Sequence, residues 1–221
     1  MEMLNLILKD ILIQKKTLGF VGLYILILSI AFQSIGAGAF IGIIIAVTYQ
    51  LVVTAGSHED KAGADIIMNS LPLSRREIVI SKYLSVIAYG LLAVLGYMAF
   101  SLVINLIPIS VKISPITPEN MALAFTGIMV MNSIYYPVYF KAGYVKSRII
   151  SFILYFVFFF GLMALFGVMN INGTGAMLNT VTGLLSGMNK VQFFLILTGG
   201  TLIFTLGSCI LSIKFYNGRE F

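Results

Sequence analysis

Apolar residues in this chain do not alternate with polar ones. They gather in six continuous blocks, at about 18–33, 35–54, 83–107, 121–140, 149–169 and 191–213. Each block approaches the roughly 20 residues an α-helix needs to cross the hydrocarbon core of a bilayer. Runs such as IGIIIAVTYQLVVTA and ILYFVFFFGLMALFGV lack the period-two pattern of a barrel strand. The pattern predicts one all-α integral membrane domain over residues 1–221, with six transmembrane helices. The first block follows a mixed 17-residue segment and carries no small-x-small cleavage pattern, so it does not read as a removable signal.

The polar positions between the blocks predict the remaining elements. Residues 1–16, MEMLNLILKDILIQKK, are too charged to span. At helical spacing Glu2, Asn5, Lys9 and Lys16 form one stripe, with Leu4, Leu8 and Ile11 opposite, which suits a helix lying in the membrane interface. Only a residue or two near Ser34 separates the first two spans, which predicts a tight outer hairpin. Gly36, Gly38 and Gly42 follow it and allow close helix packing. The connection 108–120 is short and holds three prolines. Residues 170–189 mix Gly, Thr, Ser and Asn with Met177, Leu178, Val181, Leu184 and Leu185, a composition compatible with an extracellular loop that re-enters the membrane surface.

The densest polar stretch is 55–82, AGSHEDKAGADIIMNSLPLSRREIVISK, with eight of the chain's 22 Asp, Glu, Lys and Arg residues and its one histidine. Ser57 three residues before Asp60 resembles a capping box. A short helix from about 58 to 70 would place His58, Lys61, Asp65 and Asn69 on one face, and Ala64, Ile67 and Leu71 on another. Pro72 disfavours helix at Leu71 and stops it. Ser74 and Glu77 form a second S-x-x-E box, so a new helix is predicted to begin near Arg75 and run into the third span.

Composition narrows the class. The chain is 59% hydrophobic and only 10% charged, with a mean hydropathy of +1.02, far from a soluble domain. The net charge of +6 is distributed as topology and does not point to nucleic acid. Twelve Lys and Arg residues fall on one side of the predicted spans, and only Lys112 and Lys190 fall on the other. The positive-inside rule therefore places both termini and the 55–82 stretch in the cytoplasm, with anionic headgroups as counterions. Cys209, the single cysteine, cannot form an intrachain disulfide.

Chemistry of the kind enzymes use is sparse. No G-x-x-x-x-G-K-[ST] loop and no H-E-x-x-H is present, and one histidine, His58, cannot build a His-rich metal site. No cofactor is expected in this chain. No ionisable residue lies near the middle of a predicted span, which argues against coupling to an ion gradient. Aromatic residues crowd the fourth and fifth blocks. Asn132, Tyr135, Tyr136, Tyr139, Tyr155 and Phe159 are candidates for a path that passes amphipathic cargo, although helix packing and lipid contact use the same residue types. Pro137 is a candidate kink.

The polar stretch carries a specific resemblance. Glu59, Asp60, Asp65, Ser70, Leu71, Pro72, Ser74, Arg75, Glu77, Ile78, Val79, Lys82 and Tyr83 match a loop that runs from acidic residues through SLP-x-S-R-x-E-I-V to K-Y. It resembles the permeases of type-2 ABC exporters. In character and size the chain is similar to the subunits that export phenol-soluble modulins, small amphipathic toxin peptides.

The resemblance implies a permease that pairs with a second permease chain, in a homodimer or heterodimer, and with separate cytoplasmic ATPases that hold ATP and Mg. It makes residues 58–71 a coupling helix docked on the ATPase, with Glu59, Asp60, Lys61, Asp65, Asn69, Leu71, Pro72 and Arg75 at or near the contact. The implied activity is export of amphipathic peptides, with self-immunity for the producing cell. Immunity to lantibiotics, drug export and lipid export use the same machinery. A non-transporting scaffold and a gradient-driven carrier are the readings of another class.

Overall fold

The computed structural model describes residues 2–33, 38–63, 74–106, 113–171 and 190–219. Among them all regular structure is helical: α1 (Glu2–Ile13), α2 (Lys15–Ala31), α3 (Gly38–Lys61), α4 (Arg75–Leu106), α5 (Pro118–Ile171) and α6 (Lys190–Asn217). Four of these are long and apolar enough to cross a membrane. A fifth candidate arises when α1 and α2, bent by 61° at their junction, are taken as one broken span.

The longest element is not one rod. At a rise of about 1.5 Å per residue the 54 residues of α5 would extend about 80 Å, well over twice the hydrocarbon core. Its one non-helical residue is Gly143, with φ 77° and ψ 172°. There the helix folds back on itself. A Cβ placed on Gly127 would lie 3.6 Å from the ring of Phe158, and Tyr135 and Tyr155 both pack on Tyr49 of α3. The arms before and after the bend correspond to the expected fourth and fifth apolar blocks. Pro137, the candidate kink, keeps helical dihedrals, and the dihedral break falls at Gly143, where a positive φ suits glycine.

Helix α3 is apolar on all sides, and the packing follows from that. In its most apolar window 83% of the residues are buried, against 28% in α4, 17% in α5 and 11% in α6. Helices α1, α2, α4 and α5 pack against it, and α6 packs on α4 and α5. Phe40, Ile43, Ile44, Ala46, Tyr49 and Leu51 are all nearly sealed from the surface. Gly56 brings α3 close to both arms of α5, since a Cβ there would meet the rings of Tyr139 and Tyr144 at 3.2 Å. Rows of large apolar side chains on α4, α5 and α6 point outward, among them Leu91, Leu95, Leu102, Phe152, Phe156, Leu202 and Ile203. An outside this apolar has a hydrocarbon environment as its natural solvent.

Local signals set several helix ends. The Ser74 backbone N–H donates to Glu77 Oε2 at 2.9 Å, and the Glu77 N–H donates to Ser74 Oγ at 3.2 Å, a reciprocal capping box at the start of α4. Thr117 accepts from the Asn120 N–H at 3.2 Å, with Pro118 at the first helical position of α5. The C-terminal end of α6 is held by Arg75, which donates to the carbonyls of Tyr216, Asn217 and Arg219 at 2.9–3.2 Å. A cation on unsatisfied C-terminal carbonyls is favourable on both hydrogen-bond and dipole grounds.

One expected start does not occur. Ser57 does not open a new helix, because α3 runs unbroken through it to Lys61. The helix ends instead at Gly63 (φ 60°), whose N–H donates to the Asp60 carbonyl at 3.1 Å. The Ser57 pattern loses to tertiary packing: Gly56 is wedged against two tyrosine rings, and Glu59 is drawn into the protein by two lysines. The rest of the expected coupling helix, with Asp65, Asn69, Leu71 and Pro72, lies outside the described residues. The possible re-entrant part of 170–189 beyond Ile171 also lies outside them.

Candidate functional site

The described charges concentrate at one end of the helix bundle, where α3 ends, α4 begins and α5 folds at Gly143. At that end four ionisable side chains from three helices meet. Lys82 of α4 lies 3.0 Å from each carboxylate oxygen of Asp10 on α1 and is ion-paired with Glu59 on α3. Lys9 closes the group, 2.8 Å from Glu59 and 3.3 Å from Asp10. Side-chain exposure is 2% for Asp10, 3% for Glu59 and 8% for Lys82, while Lys9 is one-third exposed.

Two positive and two negative charges leave the cluster neutral. Desolvating even a neutral set is costly, and the cost is offset only if the remaining lone pairs and protons find partners. Here they do. Ser85 Oγ donates to Asp10 Oδ2 at 2.9 Å, and the Tyr89 hydroxyl donates to the Asp10 carbonyl at 3.2 Å. Tyr139 donates to Glu59 at 3.5 Å, and Tyr136 donates to the Lys82 carbonyl at 3.1 Å. Gln14, fully buried at the α1–α2 bend, donates to the carbonyl of Leu51. Leu6, Asp10 and Gln14 therefore face the protein with Ile11 packed beside them, whereas Asn5, Leu8 and Leu12 face out, so the expected division into a polar stripe and an apolar stripe is not kept.

This geometry moves several residues from their expected places. Glu59, expected at an exposed docking face, is buried in the cluster. Asp60 and Lys61, next to it, are exposed. Arg75, expected at the same face, is half-buried against the end of α6. Asn132, Tyr135, Tyr136 and Tyr139, expected along a cargo path, are all sealed in the core of the subunit. Tyr136 and Tyr139 serve as the wall of the ion cluster. Tyr155 and Phe159 are only partly buried and pack on each other with ring centroids 4.4 Å apart.

Sequence reasoning missed Asp10, Gln14 and Lys82 as a unit. The available signal was spacing. Leu6, Asp10 and Gln14 recur every four residues on one face of α1, and Lys82, Ser85 and Tyr89 recur at i, i+3 and i+7 on α4.

A second feature lies beside the cluster. Between α2, α3 and the later arm of α5 a cavity of about 440 Å³ is lined by Tyr24, Gln50, Thr54, Arg148, Tyr155 and Phe156, among others. A neighbouring cavity of about 280 Å³, against Phe20 and Val47, shares Tyr24 and Gln50 with it. Among the described residues no group of three or more His, Cys, Asp or Glu is placed to hold a metal ion.

The chain is thus a helical membrane protein with a charged end organised around the roots of one polar connection. Its residues 5–217 match the family described as ABC-2 family transporter protein. The chain belongs to that family. It is a multi-pass membrane protein and the membrane component of an ABC-2 transporter, not a catalyst by itself, and family membership implies an ATPase partner. Searches of curated proteins and of solved structures each found no match. In this ABC-2 permease the buried cluster sits at the base of the two helices that flank residues 62–74. Glu59 and Lys82 join those two helices by an ion pair.

Proposed function

We propose that this chain is one subunit of the permease of an ATP-driven exporter for amphipathic peptides of the phenol-soluble modulin type. It crosses the bacterial cytoplasmic membrane six times, with both termini and the 62–74 connection in the cytoplasm. The bent α1–α2 pair supplies the first pass and the two arms of α5 supply the fourth and fifth. ATP and Mg are held by a separate ATPase, which docks on the 62–74 connection, with Asp60, Lys61 and Asp65 as the charged contacts.

The observation that carries this reading is the ion pair between Glu59 and Lys82. It joins the last turn of α3 to the second turn of α4, so the two roots of the connection move as one body. Asp10 and Lys9 extend that body to α1. A docking partner thereby gains a rigid handle on three helices. Because Asn132, Tyr135, Tyr136 and Tyr139 are buried within the subunit, the cargo path forms against a second permease chain, over the outward apolar faces. The charge-poor, aromatic character of those faces supports a cargo that already partitions into the bilayer.

The test is purification of the chain from its native membrane in mild detergent, followed by identification of co-purifying proteins and assay of ATP hydrolysis. A stoichiometric P-loop ATPase stimulated by amphipathic peptides, with ATP-dependent peptide movement in vesicles, supports the reading. A folded oligomer with no ATPase overturns it. An ATPase that responds to drugs or lipids, and not to peptides, overturns the cargo and keeps the machine.

A further inference from the structure

We propose that the groove between α2, α3 and the later arm of α5 binds an anionic phospholipid, anchored at its phosphate by Arg148. The inference goes beyond the export reading and does not depend on it.

The groove has donors to spare and no acid. None of the residues lining it is Asp or Glu. Arg148 is exposed at its rim, and its guanidinium makes no ion pair or hydrogen bond among the described residues. A guanidinium presents five N–H donors in a planar fork that fits phosphate oxygens. Deeper in, the hydroxyls of Tyr24 and Tyr155 lie 2.6 Å apart. One hydrogen bond between two hydroxyls uses one proton, and the second proton remains available for an acceptor. Gln50 adds an amide at the junction of the two cavities. This donor set suits an acceptor-rich anion with further carbonyl acceptors below it.

Spacing selects the shape of the ligand. Arg148, Ser151 and Tyr155 follow one another on a single face of the α5 arm, and Arg148 and Tyr155 stand about 10 Å apart along its axis. That separation places a phosphate at the rim and ester carbonyls near the tyrosine pair. Beside the tyrosine pair, Phe20, Val21 and Val47 line the neighbouring cavity, apolar surface for an acyl chain. Phe152 and Phe156, more than half exposed, leave the groove open on the side that faces hydrocarbon.

Two features favour a lipid over cargo peptide. The groove opens sideways, and Lys146 and Arg148 stand at the charged end beside Gly143, where interfacial basic residues meet anionic headgroups.

The experiment is native mass spectrometry of the full-length protein, with whatever subunits accompany it, released from detergent after titration with phosphatidylglycerol or phosphatidylcholine. Neither ATP nor transport enters the assay, so its failure is separate from failure of the export reading. The wild type is expected to retain phosphatidylglycerol about tenfold more strongly than phosphatidylcholine, the scale of one charge-assisted contact. Arg148→Gln is expected to abolish the preference and Arg148→Lys to keep part of it. The double variant Tyr24→Phe with Tyr155→Phe is expected to weaken retention of both lipids. No preference in the wild type, or an unchanged preference in Arg148→Gln, overturns the proposal. Displacement of phosphatidylglycerol by an amphipathic peptide with a free carboxylate, and not by its amidated form, reassigns the groove to cargo and overturns it too.

Discussion

Lys82 Nζ lies 3.0 Å from both carboxylate oxygens of Asp10, a partner 72 positions away in the chain. The contact joins a helix at the membrane boundary to the start of a spanning helix. Lys82→Met leaves Asp10 and Glu59 as buried carboxylates with only Lys9 nearby. A loss of about 3–5 kcal/mol is expected, because breaking a buried ion group is far costlier than never having had it. The triple variant Asp10→Asn, Glu59→Gln, Lys82→Met should recover most of that loss. Thermal unfolding of the detergent-solubilised protein checks both. An unchanged midpoint in Lys82→Met would remove the cluster from any account of how this protein is held together.

Gly143 invites a second substitution. Its φ of 77° is costly for any residue with a Cβ, and a Cβ there would lie 3.0 Å from the Arg219 guanidinium. Gly143→Ala should destabilise by about 1–3 kcal/mol from the backbone alone, since φ 77° with ψ 172° is a region essentially reserved for glycine. Adding Arg219→Ala relieves the steric contact and leaves the backbone cost. Circular dichroism melts of the single and double variants separate the two contributions, and a neutral Gly143→Ala would contradict the positive-φ geometry.

The capping box at the head of α4 has a local readout. Ser74→Ala removes the acceptor for the Glu77 N–H and should speed amide hydrogen exchange over residues 76–78 roughly fivefold. Ser74→Asp keeps an acceptor and should leave exchange near the wild-type rate. Exchange rates in α6 serve as the internal control.

Charge reversal distinguishes Asp60 and its neighbour in sequence Asp65 from the buried Glu59. Asp60 is exposed, whereas Glu59 beside it is sealed. Asp60→Lys combined with Asp65→Lys should lower peptide-stimulated ATP hydrolysis about tenfold and leave the unfolding midpoint unchanged, as expected for charges that guide docking. Glu59→Gln should do the reverse, lowering the midpoint first. If the double reversal assembles and hydrolyses ATP normally, the ATPase docks elsewhere.

Much of this architecture is legible in the sequence because the bilayer imposes a one-dimensional rule: apolar blocks long enough to cross it become helices. The helices fall on the expected blocks, and the Ser74–Glu77 box starts α4 where its spacing says. Ser57–Asp60 has similar local grammar and is overruled, since Gly56 and Glu59 are claimed by contacts from α5, α1 and α4. The ion cluster is not legible for the same reason. Asp10 sits in a segment that reads as an amphipathic lead-in, and Lys82 sits at the edge of a polar stretch. Nothing local says that two positions so far apart in the chain will touch. The tyrosines of the α5 arm are compatible in sequence with cargo lining as well as with packing, and three-dimensional packing assigns Tyr135, Tyr136 and Tyr139 to the core.

The bend at Gly143 has a mechanical consequence. A one-residue joint has no slack: a single peptide step is shorter than the rise of one helical turn, the distance one arm would have to slide past the other to change register. The arms can tilt about the glycine and cannot ratchet along each other. Whatever rearrangement the transport cycle imposes, they travel through it as a hinged wedge, and a tag or extra residue inserted at that apex would supply the play the native joint denies.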